Sequence, residues 1–197
     1  MTPYEHKLFE QEQRQKSERL AKEWFPKGDK KLSTFIEEMK PFKLCQEDVP
    51  LIIKLTENPK YFTSSLFTGA VDLFTHDCIH VLLGRGLLPK DEAFVIGYTM
   101  GSGKKMARWR RNLFMFIAKY LYPEGYKFGE EERFIFNLGI VAGSRCGVDL
   151  TTVDFNSMLK LRVSECRIKL KIDYETMKHC YGFEKRCFKN TESKRLL

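Results

Sequence analysis

A helical pattern that must stop and restart within six residues is the strongest constraint on how this chain folds. Residues 64–83 place apolar side chains at helical spacing and then meet Gly84-Arg85-Gly86, with Pro89 three residues further on. Glycine ends a helix at little cost because it adopts a left-handed backbone freely. Proline opens the next helix because the N–H it lacks has no partner in a first turn. A connection this short lays the second helix back along the first. The spacing therefore predicts an antiparallel helical hairpin around residues 84–88.

Helical periodicity extends through most of the remaining sequence. It predicts helices over 4–25, 31–42, 104–121, 130–143 and 154–172, and another entered at Glu47-Asp48-Val49-Pro50 and running into LIIKLTENP. Strand-like alternation occurs only in CRIKLKI, which suits a helix equally well. With 197 residues, 43% of them hydrophobic, the chain is long enough to bury one core. The expected fold is all-α: a single-domain, multi-helix bundle over 1–186 with a polar, loose tail at 187–197. No apolar run approaches the roughly 20 residues that span a bilayer. The N-terminal residues match neither a secretory signal nor an acid-poor transit peptide. The expectation is a cytoplasmic protein without a transmembrane segment.

Six cysteines occur without a CxxC pair, so free buried thiols are expected in a reducing compartment. His179 beside Cys180 and Cys187 fits no zinc spacing. GYTMGSGKK, at 97–105, imitates a phosphate-binding loop, but Tyr98 stands where the first glycine belongs and Lys105 where Ser or Thr belongs. Its glycines are expected to mark a helix kink or a close helix–helix contact. The net charge of +8 is concentrated: residues 104–120 hold six Lys/Arg and no acid, and residues 156–197 hold eleven against five. Arg108, Arg110 and Arg111 lie within RNLFMFIAKYLY and the basic stretch before it. Such a face can rest on anionic lipid headgroups while its aromatic side meets an isoprenoid chain; it is equally a core face with a solvated basic back.

The hairpin carries the residues with most chemistry. His76 and His80 are four apart, and Asp77 is three before His80, so all three can share a face. Glu92 falls about one turn after the restart at Pro89, mirroring His80 about one turn before the break, and so returns beside it. Two imidazoles and two carboxylates suit a divalent transition ion, zinc or iron. With three of them bound, a fourth position is left for water or substrate. Against this stands the ordinary reading, two hydrogen-bonded core histidines with surface acids.

The spacing His76-Asp77-Cys78-Ile79-His80, eleven residues, Glu92, together with HDCIHVLLGRG, resembles the signature of the coenzyme Q biosynthesis protein four family. MLKLRVSECRIKL is similar to that family's C-terminal arginine-containing helix. The resemblance implies an α-helical protein, often dimeric, peripheral on the inner face of a membrane and associated with other quinone-biosynthesis proteins. It further implies action on the polyprenylated aromatic precursor of ubiquinone, with oxidative loss of the ring C1 carboxyl. His76, Asp77, His80 and Glu92 would then be the metal ligands. Where the family commonly has glycine before the glutamate, this chain has Asp91. Two other classes compete: a metal-dependent HD-type phosphohydrolase, and a non-catalytic basic helical binding or scaffold protein. A ferritin-like site would need paired E-x-x-H elements, and KKMARWRRN comes with no nucleic-acid recognition motif.

Overall fold

The computed structural model describes residue 22 and residues 24–42, 71–103, 107–122, 127–188 and 191–196. Among them every helix or strand element is helical, the one extended pairing being an isolated bridge between Lys31 and Arg162. In chain order the helices are α1 Leu32–Met39, α2 Leu73–Leu83, α3 Pro89–Ser102, α4 Arg108–Tyr120, α5 Glu130–Gly143, α6 Val163–Lys169, α7 Tyr174–Cys187 and α8 Thr191–Lys194. The chain is an all-α multi-helix bundle. No helix among the described residues is long and apolar enough to cross a membrane. The helices expected over 4–25 and from Glu47 lie almost wholly outside the described residues.

One continuous apolar cluster binds the elements, running from Leu32 and Phe35 of α1 through Ile79 and Leu82 of α2 to Met177 and Tyr181 of α7. At its centre α3 and α5 cross with their backbones touching. A methyl group on Gly97 would overlap the carbonyl of Phe136, one on Gly101 that of Ile140, and one on Gly143 that of Tyr98. Gly97 and Gly101 of GYTMGSGKK are therefore a contact surface, matched by Gly139 and Gly143 at the same four-residue spacing on α5.

Two sequence expectations change. Residues 154–172 form two short pieces rather than one helix: a 3-10 turn at Phe155–Met158, then α6. The backbone between them is committed elsewhere, because the Leu159, Leu161 and Lys30 groups exchange bonds that start α1: Ser33 N–H donates to Leu159, Leu32 N–H to Leu161 and Val163 N–H to Lys30. In the stretch expected to be loose, Ser193 and Leu196 are buried and Ser193 Oγ donates to Glu184 at 2.9 Å.

Candidate metal centre

Helix α2 is fixed at both ends. Asp72 caps it, accepting from the Thr75 N–H at 2.8 Å, which is why the helix begins at Leu73. At the other end Gly84 takes the left-handed conformation (φ 66°) and its N–H bonds back to His80 and Val81. The last carbonyls are satisfied from a distance: Arg167 Nε donates to Leu82 at 2.7 Å, and the Tyr181 hydroxyl donates to Leu83. Helix α3 then starts at Pro89, with the Asp91 carboxylate accepting from the Leu88 N–H at 3.2 Å. These terminations put Glu92, in the first turn of α3, against the face of α2 that carries the histidines.

His76 Nε2 lies 3.0 Å from Glu92 Oε2 and 3.0 Å from His80 Nε2, while His80 Nε2 lies 3.3 Å from Glu92 Oε1. One donor atom from each of His76, His80 and Glu92 falls within 4.8 Å of the others. Tetrahedral ligands bound at ~2.0–2.1 Å stand about 3.3 Å apart, so this triangle is close to the size an ion would demand. The metal-free arrangement is equally well defined: a proton on His76 Nε2 between two acceptors, which a bound ion would displace.

The protonation of His80 follows from its other nitrogen. Nδ1 lies 2.7 Å from the Gly86 carbonyl, and a carbonyl only accepts, so Nδ1 carries the proton. In the neutral ring Nε2 therefore presents its lone pair to the triangle, the orientation a ligand needs. Burial alone would raise the Glu92 carboxyl. When the rings are protonated on the nitrogens that face it, the charge of His80 and hydrogen bonds from both histidines outweigh burial and hold the group far below the usual carboxylate range. His80 is fully buried, whereas His76 and Glu92 are partly exposed, so the cluster has a closed floor and an open mouth.

Asp77 is the expected ligand that does not join. It is buried, and it is absent from the converging group. At about 100° per residue on a helix, Asp77 projects about 100° away from His76, whereas His80 projects only about 40° away. The expectation of four ligands thus narrows to three. Among the described residues no second group of three His, Cys, Asp or Glu donors converges in this way, so His179, Cys180 and Cys187 form no centre. Cys78, Cys146, Cys166 and Cys180 are buried free thiols and Cys187 is an exposed one.

Beneath the triangle lies a charged layer that the sequence reading passed over. Arg85, read only as part of a helix break, is fully buried against the rings of Phe94 and Tyr181, 4.0 and 4.3 Å from their centroids. Its Nη2 donates to Glu184 at 2.8 Å, and its Nη1 lies 3.7 Å from Asp91. Arg195 donates to the same Asp91 at 2.6 Å. Burial keeps the Asp91 carboxyl above its ordinary range in spite of both guanidinium groups and the Leu88 N–H. The available signal was Asp91 itself, an acid in the first turn of α3 directly before Glu92.

The basic face is only partly described. Arg108 and Arg110 lie in α4, their side chains outside the described residues. Arg111 is half-buried and lines an open cleft between α4 and α5 with Met115, Phe116, Lys119, Phe128 and Arg133. Trp109, Phe116 and Tyr120 along the same helix, and Leu121 at its C-cap, are each more than half exposed. Searches against protein-family models, curated proteins and solved structures found no match to this chain.

Proposed function

We propose that this protein binds one divalent transition ion through His76, His80 and Glu92 and acts on a polyprenylated aromatic ring precursor of ubiquinone. The observation that carries the metal half is that two imidazole nitrogens and a carboxylate oxygen lie within 4.8 Å of one another. Two nitrogens and one oxygen suit zinc or iron better than magnesium or calcium. Three protein ligands leave positions for a substrate oxygen. A bound ion would supply Lewis acidity toward a ring oxygen or carboxylate, or, if iron, the means to use dioxygen in oxidative decarboxylation. The protein's own part is to hold Nε2 of His80 unprotonated and Glu92 ionised, and to keep one side of the site dry. The substrate half rests on the HDxxH, eleven residues, E resemblance.

Metal content decides the first half. Wild-type protein loaded with zinc or iron(II) and passed through a desalting column should retain about one ion per chain, and His80→Ala should retain none. Equal content in both would remove the site. A lipid extract of the purified protein decides the second: bound isoprenoid-like lipid supports the quinone reading, whereas turnover of phosphoesters supports an HD-type phosphohydrolase. The converging group is His76, His80 and Glu92 without Asp77, which favours the first reading over a His-Asp centre.

The same reading places the α4 face on an anionic membrane. Exposed Phe116 and Tyr120, which share a cleft with Arg111 and Lys119, suit the headgroup boundary, where aromatic rings enter the lipid and cations meet phosphate. Phe116→Ser with Tyr120→Ser is expected to weaken binding to vesicles of anionic phospholipid by about tenfold or more, from the apolar area lost. Flotation assays at two salt concentrations measure it. Unchanged flotation would return the face to the role of a solvated helix back.

A further inference from the structure

We propose that the buried pair Arg85–Glu184, joined through Asp91 to Arg195, positions the candidate metal ligands, acting on His80 through the carbonyl of Gly86. The inference deepens the metal reading and rests on it only for its second measurement. Its basis is the route by which the C-terminal helices reach the hairpin loop. Gly86 directly follows Arg85, whose guanidinium is held by Glu184 of α7 and two aromatic rings. On its other side Gly86 presses against the second half of the layer: a methyl group there would stand 2.9 Å from Asp91 Oδ2 and 3.0 Å from Arg195 Nη1. The Gly86 backbone is thus held from both flanks, and its carbonyl is the acceptor that fixes the His80 proton on Nδ1.

Both ligands of the lower edge are reached this way. His80 is oriented by the residue after Arg85, and Glu92 follows Asp91, which accepts from Leu88 N–H and from Arg195. Ser193 closes the layer from behind by donating to Glu184. A network that merely stabilised the fold would have no reason to converge on the one backbone carbonyl that sets an imidazole tautomer. Such outer partners of metal-binding histidines set ring orientation and ligand basicity.

The test is the double variant Arg85→Met with Glu184→Leu in the full chain, which removes the charge pair while refilling its volume with apolar groups and leaves Asp91 paired to Arg195. Nitrogen-15 spectra of the imidazoles in metal-free protein report the tautomer directly, and titration with cobalt(II) against a chelator reports affinity. In the wild type His80 is expected to show a protonated Nδ1 and an unprotonated Nε2. In the folded double variant both tautomers are expected, with cobalt(II) bound about 10- to 100-fold more weakly. A folded double variant with the wild-type tautomer and affinity would overturn the proposal. Should that variant fail to fold, Arg195→Ala carries the same measurements on the Asp91 side, with a loss of about threefold or more expected and wild-type values again overturning it. Wild-type protein that takes up no cobalt(II) would count against the metal reading, and the tautomer comparison would then decide the positioning role alone.

Discussion

Gly143→Val is expected to cost about 3 kcal/mol or more of folding stability, the upper end of what overpacking a close-fitted core produces. Gly143 sits where α5 meets α3 backbone to backbone, and its Cα faces the Tyr98 carbonyl with no room for a side chain. The carbonyl belongs to a helix and cannot swing aside as a flexible side chain would, so the two helices must separate. Separation opens the contacts at Gly97, Gly101 and Gly139 together, because the four glycines form one interface. Gly182→Ala is the matched control. It also lies inside a helix, α7, but its added methyl would meet only Arg186 Nη1 at 3.7 Å. There the gain in helix propensity, about 0.5–1 kcal/mol, should appear as increased stability. Urea unfolding followed by circular dichroism measures both. A Gly143→Val midpoint at or above that of the wild type would mean that α3 and α5 do not approach so closely.

The sequence was most legible where a local rule had no competitor. The capping acids sit next to the backbone groups they satisfy, and Gly84 and Pro89 act through their own backbone, so the hairpin and the helix at 130–143 could be placed from spacing alone. The histidine pair was legible for the same reason, since a four-residue interval on a helix is a geometric statement. Asp77 shows the limit of that rule. Its separation from His80 permits a shared face, but its separation from His76 does not, and only the position of Glu92 decides which side the site occupies. The stretch 154–172 carried helical spacing, yet its backbone was drawn into partnership with Lys30, Leu32 and Ser33, more than a hundred residues away. Helix α7 has Met177, Cys180, Tyr181 and Glu184 along its buried side. A buried glutamate in that row looks like a surface residue until its partner is known. That partner, Arg85, sits in a turn where an arginine would ordinarily be solvated, and nothing within a helical turn of either residue announces the pair.

The second large effect follows from that pair. Arg85→Ala is expected to lose about 3–5 kcal/mol, because it leaves Glu184 buried with its cation removed and deprives Asp91 of a neighbouring charge. The loss has a packing part as well, since the guanidinium packs against the rings of both Phe94 and Tyr181. The electrostatic part is separable. Two guanidinium nitrogens of Arg85, Nε and Nη1, are buried without a hydrogen bond among the described residues, so the pair recovers less than its full desolvation cost. Replacing both partners with apolar residues, as in Arg85→Met with Glu184→Leu, should therefore restore stability to within about 2 kcal/mol of wild type. Chemical denaturation of the two single variants and the double variant closes the cycle and gives the coupling directly. A double variant as unstable as the sum of its singles would mean that Arg85 and Glu184 do not meet. A double variant that is stable would show that the fold itself can do without these charges, leaving the orientation of His80 as the reason for burying them.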